Sequence, residues 1–318
     1  MFHKTAVEAA KLAINLWPAE PREEDLSLGE IFGTRRYKEA GQHEKLAMQL
    51  KSSQYRYDYE ADNCLFAEYF PDFDTAYLQG KDLLDLGCFT GGRLIYWKEA
   101  FGIARACGID ISQTFADAGS AFAASRGVSA EFFVGFGEAL PLPDESVDVI
   151  VSYDVLEHVR SVSEVLKECL RVLRPNGRLF AVFPPFFQPF EAHLGHVTHM
   201  PGLHILFPRD ILAEAYFSII GARGEQASWY RRSENRLADW ERLMTLNGIT
   251  VSAFRKMIQQ DPNWSLISWS NEPILRQGRR AKELKFRLMS ALFSIGARLP
   301  ILEEVCLGRI CCILEKRP

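Results

Sequence analysis

Four short stretches of this sequence combine glycines, acids and a histidine at spacings that suit a small-molecule ligand. The first is Asp85-Leu86-Gly87-Cys88-Phe89-Thr90-Gly91-Gly92. Glycines there let the backbone approach a ligand closely, and a helix opening at the second of them offers free N–H groups to a carboxylate. The second is Gly108-Ile109-Asp110, whose acid stands 23 residues beyond Gly87. That is near the ~20 residues expected of an acid that takes both ribose hydroxyls of a nucleoside. One ionised carboxylate carries two acceptor oxygens, and Ile111 beside it would give a base an apolar wall. The plainer reading makes the glycines a tight strand-to-helix turn and Asp110 the cap of a helix starting near Ser112. Gly135-Phe136-Gly137-Glu138-Ala139-Leu140-Pro141 and Tyr153-Asp154-Val155-Leu156-Glu157-His158-Val159 complete the set.

Proton removal near neutral pH is histidine chemistry. Four of the seven histidines, His193, His196, His199 and His204, fall in one loop rich in Pro and Phe, residues 184–208, and His158 closes the fourth stretch. His158 and His193 are the candidates for a general base. The plainer reading of the loop is a lid whose histidines bond backbone. Asp154, Glu157 and His158 would share a face on the first turn of a helix, where a loop histidine could join them around a divalent metal. Sequence places only three such ligands, so the metal is not the favoured reading.

Ligands of a parallel sheet bind beyond the carboxyl ends of its strands, so each stretch needs a strand leading into it. Short apolar runs at 82–86, 104–109, 131–134, 147–152 and 177–183 alternate with helix-length amphipathic segments near 91–101, 112–126 and 160–173. This is the rhythm of a parallel α/β sheet. A short helix and a strand are expected to reach about Tyr230, and Arg309 to Leu314 reads as a closing strand. Before residue 80 the chain is helical and aromatic in flavour. Tyr55, Tyr57 and Tyr59 either line an acceptor pocket or form a strand or packing edge. Residues 231–300 read as helical too, with Leu237, Trp240, Leu243 and Met244 on one face, and Leu284, Leu288, Ala291, Leu292, Ile295 and Leu299 on another. The expected plan is a helical segment or acceptor cap over 1–80, an α/β core over 81–230, a helical cap insertion over 231–300 between the last two strands, and a closing strand within 301–318.

Composition excludes several classes. Thirty-seven basic residues against 41 acidic ones give a net charge of −4, which argues against a nucleic-acid partner. The local run Arg276, Arg279, Arg280, Lys282, Lys285 and Arg287 reads as the solvated side of an amphipathic helix before it reads as an anion grip or a membrane face. No window reaches ~18 uninterrupted apolar residues, so no transmembrane segment is expected. His3 to Trp17 reads as an amphipathic helix rather than a secretory signal. Seven scattered cysteines with no C-x-x-C pair suit reduced thiols and a cytoplasmic location.

Taken together, D-L-G-C-x-T-G, then G-I-D, then G-x-x-E-A-L-P-L-P-D-x-S-V-D-V-I, then D-V-L-E-H-V and L-R-V-L-R-P-N-G-R-L resemble, in order and spacing, the class I S-adenosylmethionine-dependent methyltransferases. The nearest flavour is the small-molecule, quinone-biosynthesis-like group. The resemblance covers 80–183 by motif and reaches 205–230 and 305–316 by topology. It implies a Rossmann-like seven-stranded, mostly parallel sheet with helices on both faces, and S-adenosyl-L-methionine as methyl donor. It also implies that Asp85, Gly87, Cys88 and Gly91 hold the methionine part, Asp110 the ribose, and Phe136, Gly137 and Leu140 the adenine. Two departures stand out: Phe89 occupies the place of a second glycine, and Phe136 that of an acid which receives the adenine amino group. The expected function is methylation of a small organic acceptor, at oxygen. The alternatives are a metal-assisted RNA-end 2′-O-methyltransferase, which the Asp154, Glu157 and His158 set resembles, and a catalytically silent binding protein of the same fold.

Overall fold

The computed structural model describes residues 2–19, 37, 39–190, 194, 197–223, 246–274, 284–299 and 302–318. Seven strands form one sheet: β1 (Asp82–Leu86), β2 (Arg105–Asp110), β3 (Glu131–Val134), β4 (Val147–Tyr153), β5 (Leu173–Phe183), β6 (Trp264–Pro273) and β7 (Leu307–Lys316). Their order is β3-β2-β1-β4-β5-β7-β6. The first five are parallel, and β7 runs antiparallel between β5 and β6. Because β1, β2, β4 and β5 are covered on both faces, they read as largely apolar runs with most positions buried. This is the expected seven-stranded, mostly parallel sheet.

The helices, in chain order, are α1 (Phe2–Asn15), α2 (Gln42–Asp62), α3 (Leu65–Tyr69), α4 (Gly92–Phe101), α5 (Gln113–Arg126), α6 (Val162–Val172), α7 (Leu203–Leu206), α8 (Arg209–Arg223), α9 (Val251–Gln260), α10 (Leu284–Gly296) and α11 (Glu303–Cys306). One sheet face packs Val162, Val165, Leu166 and Cys169 of α6 and Phe254 of α9 onto Leu84, Leu86 and Ile150. The other packs Phe66 of α3 and Leu94 and Trp97 of α4 onto Leu83, Val149 and Phe180. Each fully buried side chain of this size contributes about 1.5–3 kcal/mol, so strand ends that carry the site are firmly held.

Two parts of the domain plan differ from expectation. Segment 231–300 is not wholly helical, because β6 falls inside it and completes the core sheet. The long connection therefore lies between β5 and β6, not between the last two strands. The expected helical face at Leu237, Trp240, Leu243 and Met244 lies outside the described residues, as does the strand expected near Tyr230. The N-terminal 80 residues also divide. Val7, Ala10 and Ile14 of α1 pack on Leu212, Tyr216 and Ile219 of α8, away from the sheet. Helix α2 instead lies against α4 and α5, beside the first glycine turn.

Candidate functional site

The chain leaves β1 through Gly87 and Gly91, both left-handed with φ of 74° and 73°. The N–H groups of Gly87 and Cys88 donate to the Ile109 carbonyl at 2.8 and 3.1 Å, which ties the turn to the end of β2. Gly92 serves a different purpose. A β-carbon there would lie 1.9 Å from the Ser53 carbonyl oxygen, so only glycine lets α2 cross the start of α4 in backbone contact. Ser53 Oγ then donates to the Thr90 carbonyl at 2.7 Å. Helix α2 is thereby pressed onto the turn.

Asp110 faces the same turn. Its Oδ2 accepts the Phe89 N–H at 3.0 Å and its Oδ1 the Ser112 N–H at 3.0 Å. The acid ties the local turn and does not cap the helix, whose N-cap is Ser112; each oxygen keeps a lone pair for a further donor. Burial raises its pKa from the ordinary 3.8 to about 6, against the lowering effect of the two N–H donors. Ile111 is 49% exposed and Phe136 is 55% exposed, so apolar surface stands beside the acid. The Arg160 guanidinium lies 5.6 Å from the Phe136 ring centroid.

Several expected ligand residues are buried in contacts with the rest of the fold. Leu140 is a core residue, 4% exposed, and its N–H donates to Glu168 Oε2 at 2.8 Å. Gly137 is buried, with Val165 and Leu86 against it. Leu140 and Gly137, which the resemblance assigns to the adenine, pack toward α6 here. Cys88 is buried, its Sγ beside Gly108, and burial raises its thiol pKa well above the ordinary value. Asp85 is fully buried and taken by Arg93 of α4, at 2.6 Å to Nη2 and 3.3 Å to Nε. It can act on a ligand only through that guanidinium.

Sequence reading missed the contribution of α2. Ser52, Ser53 and Glu60 are buried on it, and Arg56 lies between them. That three-to-four-residue polar stripe, on a helix that must bury one face, was the available signal. The Arg56 guanidinium sits 4.8 Å from the Phe89 ring centroid. Burial, then the neighbouring Arg93, lower its pKa, yet arginine stays charged. Among the described residues its buried Nε has no hydrogen-bond partner. Glu60 accepts from Trp97 Nε1 at 2.6 Å and from the Leu65 N–H at 2.8 Å, and burial pushes its pKa to about 7. Tyr55 and Tyr59 lie side by side on α2, while Tyr57 packs against Tyr96 and Phe122. The three tyrosines are therefore helical, not a strand edge.

On the acceptor side, residues 155–158 form a turn and α6 begins only at Val162, so Asp154, Glu157 and His158 do not share a helix face. Asp154, left-handed at φ 56°, pairs with Arg309 of β7. Arg309 and Arg93 lie 5.1 and 5.3 Å from the Tyr153 ring centroid. His158 Nε2 stands 3.8 Å from Oε1 of the buried Glu157, ion-pair rather than hydrogen-bond separation. Asn247 fastens this turn, its Nδ2 donating to the Leu156 and Val159 carbonyls at 2.7 and 2.9 Å. Among the described residues no three His, Cys, Asp or Glu side chains converge on a metal position. His204 Nε2 bonds the Phe186 carbonyl at 2.8 Å, and His199 packs edge-on against Trp17. His193 and His196 lie outside the described residues, as do Arg276, Arg279, Arg280 and Lys282; the side chains of Lys285 and Arg287 are likewise not described. No described helix is long and apolar enough to cross a membrane.

Residues 84–181 match the family model of a methyltransferase domain. A ubiquinone biosynthesis O-methyltransferase of Agrobacterium fabrum is 36% identical over 104 residues, covering 33% of this chain and 41% of that protein. One from Coxiella burnetii is 27% identical over 162 residues, covering 51% and 66%. The chain thus spans less than two thirds of the length of either curated relative. A crystal structure of an S-adenosylmethionine-dependent methyltransferase from Mesorhizobium loti superposes with a TM-score of 0.45 at 15% identity, covering 75% of this chain and 92% of that one. The matched stretch runs from β1 to β5 and contains the glycine turn, Asp110 and His158 in the order the motifs require. From β1 to β5 the α/β core of this chain is therefore similar to a methyltransferase domain.

Proposed function

We propose that this chain transfers a methyl group from S-adenosylmethionine to a small organic acceptor, at oxygen. One observation carries the reading: the Phe89 N–H of the glycine turn donates to the Asp110 carboxylate at 3.0 Å, which brings turn and acid together, and the Arg56 guanidinium, with its unpartnered Nε, lies against the Phe89 ring. When bound, the donor supplies an electrophilic methyl group on a sulfonium. The protein's part is then to bind, align and remove a proton. Asp110 accepts the vicinal ribose hydroxyls, and Ile111 and Phe136 flank the base. Arg56 takes the carboxylate of the amino-acid end, which fits a buried cation in need of an anion. Asp85 positions Arg93 behind it.

His158 is the base for an acceptor hydroxyl, oriented by Glu157. The oxygen preference is supported by the relatives' description as O-methyltransferases. A small acceptor suits the tyrosines of α2 and the hydroxyls of Tyr69 on α3 and Tyr153 at the end of β4, 3.2 Å apart. The metal-assisted RNA reading is disfavoured by the Asp154 to Arg309 pair, which occupies one required ligand. Titration calorimetry of S-adenosylhomocysteine against the full chain tests the donor site, and radiolabelled methyl transfer to a panel of phenols and catechols tests the acceptor class. Saturable binding is expected. No heat at millimolar ligand would overturn the proposal and favour the silent binding protein.

A further inference from the structure

We propose that Phe89 is a positioning residue that holds Arg56 in place for the donor's carboxylate; this rests on the donor-site reading above. Position 89 is left-handed, with φ 52°. A side chain is strained there and glycine is not. Strain of this kind at a ligand turn persists only where the surroundings fix it. Three contacts do so. The backbone N–H donates to Asp110, the ring centroid lies 4.3 Å from that of Phe115 on α5, and the Arg56 guanidinium lies 4.8 Å from the Phe89 ring.

Arg56 needs such a hold. Arg93 stands close enough to repel it, and its Nε finds no hydrogen-bond acceptor among the described residues. An arginine so placed would swing toward water unless an apolar face kept it. An aromatic face attracts the guanidinium without engaging its N–H groups, which leaves them free for a bidentate carboxylate. Phe115 packs on the same ring and keeps it from yielding. Phe89 therefore joins the ribose acid to the carboxylate anchor: its backbone serves one and its ring the other. Glycine at this position would relieve the strain but release Arg56.

The test compares S-adenosylhomocysteine with 5′-methylthioadenosine, which carries the nucleoside and thioether but no amino-acid carboxylate. Calorimetry on the full chain, as Phe89→Gly, Phe89→Leu, Arg56→Met and the Phe89→Gly/Arg56→Met pair, with thermal melts of each, gives the outcome. Loss of the ring face should weaken S-adenosylhomocysteine by about 3- to 30-fold in both Phe89 variants. Affinity for 5′-methylthioadenosine should stay within about twofold, and Phe89→Gly should add little once Arg56 is methionine. Equal weakening of both ligands, or no change in either, overturns the proposal. So does a Phe89 effect that persists undiminished in the double variant. A parent chain that binds neither ligand removes the donor-site reading itself, and this one with it.

Discussion

Replacing Asp110 by asparagine should separate ligand affinity from fold stability. The carboxyl is raised by burial to about 6 from its ordinary 3.8. A raised pKa means that the folded chain holds this proton more tightly than the unfolded one. The group's contribution to stability is thus greatest below about pH 4 and is lost as pH climbs through 6. Roughly two pH units correspond to about 3 kcal/mol disfavouring the ionised form at neutral pH. Asparagine removes that penalty. It also offers one acceptor oxygen in place of two, so either the Phe89 or the Ser112 N–H loses its partner, at about 1–3 kcal/mol. The two effects nearly cancel, and urea unfolding at neutral pH should move by less than about 2 kcal/mol.

Affinity should not be spared. Hydrogen bonds to a charged acceptor contribute about 1.5–3 kcal/mol, so S-adenosylhomocysteine should bind about 10- to 100-fold more weakly to the Asp110→Asn chain. The parent should also lose affinity in acid, by about tenfold at a pH one unit below the Asp110 pKa, while the variant stays flat. Glu60 titrates at about 7, but it lies behind Arg93 and does so in both proteins. The difference between the two curves therefore isolates Asp110. Calorimetry from pH 5 to 8 reads it. Equal affinities, or an asparagine variant that keeps the acid slope, would refute the ribose assignment. A stability loss above about 4 kcal/mol would mark Asp110 as a turn residue instead.

His158→Ala should lower kcat by about 100-fold or more and leave S-adenosylhomocysteine affinity unchanged; parallel losses in both would make it a structural residue. Arg93→Met strands the buried Asp85 carboxylate, and urea unfolding should register a loss of about 3–5 kcal/mol. Gly92→Ala places a β-carbon against the Ser53 carbonyl, so α2 must shift. It should lose about 2 kcal/mol or more and, through Arg56, affinity for S-adenosylhomocysteine, whereas an unchanged chain would mean that α2 does not define the crevice.

The inner strands were legible because burial on both faces writes itself as largely apolar runs, as in Leu83 to Leu86 and Val147 to Val151, each interrupted by one aspartate. β6 was not. It is an edge strand, paired on one side only, with Leu266 and Ile267 about half exposed. Its serines and tryptophans carry no such run. Within the site, the glycine turn and Asp110 could be found because both lie where a strand gives way to a helix. Leu140 could not be told from a pocket wall, since a motif match does not distinguish a residue buried by protein from one that lines a ligand. The partners of Asp85 and Asp154 were invisible for another reason. Arg93 lies eight residues on, across a turn, and Arg309 155 residues on, in a strand that returns antiparallel.

Everything assigned to the nucleoside, Asp110, Ile111 and Phe136, belongs to the stretch that matches the methyltransferase family. Arg56, assigned to the amino-acid end, belongs to α2, outside that stretch, and lies against the Phe89 ring only because Gly92 admits the helix to backbone contact. Recognition of the nucleoside is then a property of the sheet ends, and preference for a ligand that carries the amino acid is a property of one helix packed against them. Phe89 is the residue common to both, through its N–H on Asp110 and its ring under Arg56. A substitution on α2 that leaves the sheet intact should therefore change which adenosine compounds are distinguished before it changes whether any is bound.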